Sequence, residues 1–125
     1  MNKAKWIYNA ILGTQSAYYL LTAIWPLVDI ESFMLVTGPK EDIWLVKTVS
    51  VLLLPISLVF AGAIFTKVPI LIITLLSAGC AAGLAIIDFY YTGNGTISLV
   101  YQIDGYVQIL FLLAWVYILV QKKAK

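Results

Sequence analysis

The chain has 125 residues, of which 62% are hydrophobic and 11% charged, and its mean hydropathy is +0.97; a soluble domain carries about 25% charged residues. Eight lysines against six acids leave a net charge of +2, too small a basic excess for a nucleic-acid binder. The deficit of charge predicts an integral membrane protein; one cysteine and no histidine exclude an internal disulfide and remove the commonest metal ligand and general base, and no metal or cofactor is expected.

The opening, MNKAKWIYNAILG, has the lysines and apolar run of a signal peptide. The uncharged run continues to residue 28 without a small-residue cleavage site, so it reads as a retained first span. A bilayer core of roughly 30 Å needs about 20 mostly apolar helical residues. Four stretches qualify, at about 6–28, 43–66, 68–91 and 97–120, the second interrupted by Lys47 and the fourth by Asp104. Short connections make neighbours antiparallel, which predicts an all-α fold: one domain over 1–125, a polytopic antiparallel four-transmembrane-helix bundle.

Between the first two spans, DIESFMLVTGPKED (29–42) is expected as a connection whose apolar patch at 33–36 suits the headgroup region, ending in the turn pair Gly38-Pro39. Pro55 removes a backbone donor within the second span and is expected to kink it. In the third span, SAGCAAG (77–83) spaces Gly79 and Gly83 for close helix approach, within the chain or in a homodimer, and Cys80 reads as inert packing. TGNGT (92–96) reads as a tight turn before the fourth span, although Asn94-Gly95-Thr96 also matches a glycosylation acceptor.

Lysine placement orients the spans. Lys3, Lys5, Lys67, Lys122, Lys123 and Lys125 fall on one face, whereas the other has Lys40 offset by Asp29, Glu31, Glu41 and Asp42. Both termini are therefore expected in the cytoplasm. On this orientation Asp104 lies about 10 Å and Lys47 about 6 Å inside the outer boundary at about 1.5 Å of rise per residue. Asp88 sits near the same boundary.

A charge at mid-bilayer costs roughly 2.5 to 3.5 kcal/mol. Asp104 is therefore expected to face protein or water, with Lys47 as its partner. Steps of three and four align Tyr101, Asp104, Gln108, Leu112 and Trp115 on the fourth span, with Gly105 adjoining, and Tyr8, Gln15, Tyr19 and Thr22 on the first. Thr74, Ser77, Ala81, Leu84 and Asp88 align on the third span, and Lys47 with Ser50 and Ser57 on the second. Gln15 and Gln108 fall near the midplane, where they could meet. Such seams can be interhelical hydrogen bonding alone. The crowding of charges and tyrosines in the outer half favours an outward-facing pocket, and a ligand site of Tyr19, Lys47, Asp88, Tyr101, Asp104 and Gln108 is expected.

Catalysis would need more. Asp88 with Asp104 could form an acid pair and Lys47 with Ser50 a serine and lysine dyad, but neither pattern is specific, and no catalytic residue is assigned. Length and span number resemble small multidrug resistance transporters, yet that family carries a glutamate in its first helix where this chain has Gln15. TGPKEDIWLVKTVSVLL (37–53) and IDFYYTGNGTISLVYQIDGYVQ (87–108) resemble small uncharacterised bacterial four-helix membrane proteins, in which an aspartate closes the third helix before a tyrosine pair and Tyr-x-x-Asp opens the fourth. That resemblance implies a bacterial inner-membrane address and supplies no mechanism. The expected function is binding of a small amphipathic or lipid-like ligand, with membrane lipids around the spans. The alternatives are an accessory subunit docking through its glycine face, and a proton-coupled transporter that uses Asp104 as a dimer.

Overall fold

The computed structural model describes residues 3–124, and the side chains of residues 3 and 5–121. Five helices follow in order: α1 (Lys3–Val28), α2 (Ile30–Thr37), α3 (Ile43–Phe65), α4 (Ile70–Gly93) and α5 (Val100–Ala124). Three of them, α3, α4 and α5 over Val100–Gln121, are long and apolar enough to cross a membrane. The first span meets that standard only when α1 is taken together with α2, and the two are bent by 116°.

Burial is inverted relative to a water-soluble bundle. Gln15, Ser57 and Ser77 are fully buried and Gln108 is 1% exposed, whereas Leu35 and Phe65 are 86% and 84% exposed. Apolar residues on the outside cost nothing in lipid, while polar groups must find partners within the protein. Most do, Thr74 Oγ1 and Asp88 Oδ2 excepted: Gln15 Nε2 donates to the Ser77 carbonyl at 3.0 Å, Trp115 Nε1 to Gln15 Oε1 at 2.8 Å, and Ser16 Oγ to the Ser57 carbonyl at 2.8 Å. Around these bonds pack Leu12, Tyr19, Phe60, Ile73 and Trp115. Gln15 and Gln108 do not bond each other, because each amide is taken by nearer donors and acceptors.

The principal packed pairs are α1 with α3 and α4 with α5, joined across the middle by α1 and α5. Along α1 and α5, residue numbers rise on one helix as they fall on the other: Tyr8 stacks edge-on with Trp115, Tyr19 bonds Gln108 and Tyr18 bonds Asp104. Consecutive helices α3 and α4 touch little. Space is left between the two pairs, and the site lies there.

Residues 29–42, expected as a plain connection, instead contain α2. Asp29 caps it by accepting from the Ser32 amide at 3.2 Å, Trp25 Nε1 bonds Ser32 Oγ at 2.8 Å, and Trp25 packs edge-on against Phe33 with centroids 5.4 Å apart. These local bonds make the bend and fold α2 back over the end of α1. Gly38, at φ 97°, ends it as only glycine readily does, with its amide on the Met34 carbonyl at 2.8 Å.

The remaining boundaries shift slightly. α4 begins at Ile70, after Pro69, and α5 at Val100. α3 runs unbroken through Pro55, so the expected kink does not end the helix. The turn after α4 forms as expected, with Asn94 Oδ1 accepting from the Thr96 amide and hydroxyl at 3.1 and 2.6 Å. Gly79 and Gly83 are exposed and a Cβ on either would meet nothing within 4 Å, so they serve no packing inside the chain. Lys3, Lys5 and Lys67 are exposed at the α1 start and the α3–α4 connection; Lys125, and the side chains of Lys122 and Lys123, lie outside the described residues.

Candidate functional site

At the end of the molecule where α1 bends into α2, a cavity of about 280 Å³ opens between the two helix pairs. Every helix contributes to its wall. Tyr19, Thr22 and Pro26 come from α1, Phe33 from α2, Val46, Val49, Ser50 and Leu53 from α3, Leu84, Ile87 and Asp88 from α4, and Tyr101, Asp104 and Gln108 from α5. Most of this wall is aliphatic or aromatic, with a few polar groups among them, the usual build of a small-molecule pocket. A second cavity of about 440 Å³ lies between α1, α2 and α5. Thr22, Phe33, Tyr101 and Asp104 line both and form the partition between them.

Five of the six residues expected at the site, Tyr19, Asp88, Tyr101, Asp104 and Gln108, thus line one cavity. Lys47 does not. It is exposed, in a shallow recess with Trp44, Thr48, Val51 and Leu52. The buried face of α3 runs through Ser50, Leu53, Ser57 and Phe60, and at 3.6 residues per turn Lys47 points roughly 100° away from its centre. The expected contact between Lys47 and Asp104 is therefore corrected: a long lysine keeps its head in polar surroundings by turning outward rather than being desolvated.

Asp104 is held by neutral donors instead. The Tyr18 hydroxyl donates to its Oδ1, and Gln108 Nε2 donates to the same oxygen at 3.3 Å. Gln108 Oε1 in turn accepts from the Tyr19 hydroxyl at 2.7 Å, so a chain of bonds runs Tyr18, Asp104, Gln108, Tyr19 between α1 and α5. Asp88 has no such support. It is 4% exposed, and its Oδ2 is buried without a hydrogen-bond donor. The Asp104 carboxyl lies beside it; two ionised carboxylates are both acceptors and cannot satisfy each other, and only a shared proton would bond them.

Gly105 brings the two acids together. A Cβ there would fall 2.8 Å from the Phe89 ring and 3.3 Å from Asp88 Cβ, so only glycine lets α5 approach α4 at this level. The chain matches no known family model, no curated protein and no solved structure. Function must therefore be argued from the site itself.

Lys40 is the lysine nearest the site. Its Nζ sits 5.1 Å from the centroid of the Tyr101 ring, in cation–π range, and donates at 3.0 Å to the carbonyls of both Thr37 and Gly38. It thereby ties the end of α2 to Tyr101 on the cavity wall. Burial pushes the Lys40 ammonium below the ordinary lysine range. Sequence reasoning missed Lys40, Tyr18, Thr22 and Phe33 as site residues. Tyr18 carried a signal, since Gln15, Tyr18 and Thr22 follow the same three-and-four spacing. The described residues hold no cluster of three or more potential metal ligands.

Proposed function

We propose that this chain is a polytopic membrane protein of the bacterial inner membrane, one domain over residues 1–125, whose first span, α3, α4 and α5 form an antiparallel four-helix bundle with both termini cytoplasmic. In its outer half, the cavity lined by Tyr19, Asp88, Tyr101, Asp104 and Gln108 binds a small amphipathic or lipid-like ligand. The observation that carries the reading is Asp88: a buried carboxyl oxygen without a donor, in the wall of a largely apolar cavity. A buried unsatisfied polar atom costs about 1 to 3 kcal/mol. Packing alone would be better served by an apolar residue, whereas a ligand donor would satisfy Asp88. Tyr19 and Tyr101 supply apolar walls with polar tips, and the aliphatic side chains of α3 and α4 receive the ligand's body.

Native mass spectrometry of the protein released from mild detergent tests this. Leu84→Trp, which fills the cavity, is expected to remove a co-purifying small amphiphile that Leu75→Trp, on the exposed face of α4, retains. The same adduct on both variants would overturn the reading. A second reading rests on Gly79 and Gly83, which leave a bare strip on the outer face of α4 suited to a second copy or a partner helix. Gly83→Leu would break that association and leave the cavity adduct intact.

A further inference from the structure

The charge of the cavity wall narrows the ligand class. Two acids and no basic side chain line the cavity among the described residues: Asp88 from α4 and Asp104 from α5 stand side by side, and α1, α2 and α3 contribute only neutral groups. Lys40 sits over the Tyr101 ring without itself lining the cavity, and its ammonium is already engaged by the Thr37 and Gly38 carbonyls. Lys47 faces away. Of the two acids, Asp104 already accepts two bonds on Oδ1, whereas Asp88 Oδ2 accepts none. Apart from the Gln108 amide, already given to Asp104, the described lining residues offer no side-chain N–H donor and no positive charge.

An anionic lipid head would meet two carboxylates here and be repelled. A neutral alcohol could offer one hydrogen bond. An ammonium offers three donors and a positive charge to a pair of acceptors in poorly hydrated surroundings, where charge-assisted bonds are strongest. The Tyr19 and Tyr101 rings also suit a cation.

Resting on the reading of the cavity as a ligand site, we infer that its ligand is a small amphipathic amine, its ammonium seated between Asp88 and Asp104 and its apolar body lying against Val49, Leu53 and Leu84.

Phenethylammonium and phenethyl alcohol differ only in the head group and make a matched pair of probes. For the full chain in nanodiscs of neutral lipid, thermal unfolding with increasing concentrations of each gives the two apparent affinities. The amine is expected to bind roughly tenfold or more tightly than the alcohol, the difference one charge-assisted hydrogen bond supplies. Asp88→Asn should erase that preference, Asp104→Asn should weaken it, and Lys47→Gln should leave it unchanged. Equal binding of amine and alcohol would overturn the amine assignment while leaving an amphiphile pocket. An amine preference that survives in both aspartate variants would place the amine elsewhere and also overturn it. Failure of both probes to bind, together with loss of the Leu84-sensitive adduct, would overturn the pocket reading itself.

Discussion

Replacing Asp88 with asparagine is expected to make the ligand-free protein more stable. The side chains are nearly equal in volume, so no cavity opens and no overpacking follows. The wild-type cost is that of a 4% exposed carboxylate whose Oδ2 has no donor, about 1 to 3 kcal/mol. An asparagine amide beside the Asp104 carboxyl adds a donor, and a side-chain hydrogen bond inside a membrane bundle averages about 0.6 kcal/mol. A net gain of about 1 kcal/mol, at the low end of that range, is expected. Reversible unfolding in mixed micelles, followed by tryptophan fluorescence at a pH where both acids are ionised, measures it. A loss of more than about 1 kcal/mol would mean that Asp88 has a structural partner of its own, and the argument that it is held for a ligand would fail.

Other perturbations separate the framework from the site. Gly105→Ala should cost about 1 to 3 kcal/mol in the same unfolding assay, since its methyl must displace Phe89 and Asp88; a neutral result would show that α4 and α5 can move apart freely. Gln15→Leu and Trp115→Phe should each destabilise, and their double-mutant cycle should give a coupling of about 0.6 to 1.7 kcal/mol for the 2.8 Å bond they share, so strict additivity would deny that bond. Lys47→Gln should lie within about 0.5 kcal/mol of wild type, as an exposed side chain off the buried face, and a larger loss would restore it to the interior. Lys40 should titrate below the exposed lysines in an NMR pH series. Because its folded value is lowered, the unfolded chain holds that proton more tightly, and stability should rise with pH between the folded and unfolded values.

Much of the interior was legible because the polar stripes of the long helices mark their buried faces. Steps of three and four placed Gln15 and Tyr19, Ser77 and Asp88, and Gln108 and Trp115 on the seams where they lie buried. Lys47 was misplaced because a spacing of three from Ser50 is equally short on either side of that residue, and only the continuation through Leu53 and Phe60 decides the side. α2 was missed because its eight residues are too few to show a period, although Asp29 and Ser32 carry the spacing of a helix cap. Tyr18 on Asp104 and Lys40 over Tyr101 are contacts between helices or across a loop, which no periodicity within one element encodes. The helical seams of the site could thus be read from the chain, but the pairing of its acids with neutral donors could not.

The most direct measurement is where a bound amine lies. With phenethylammonium added to the methyl-labelled protein in nanodiscs, intermolecular NOEs from its ring should reach the methyls of Val49, Leu53 and Leu84, and the side-chain carboxyl resonances of Asp88 and Asp104 should shift together. NOEs only to methyls on the exposed surface, such as those of Leu52 and Leu75, with both carboxyl resonances unmoved, would contradict the account.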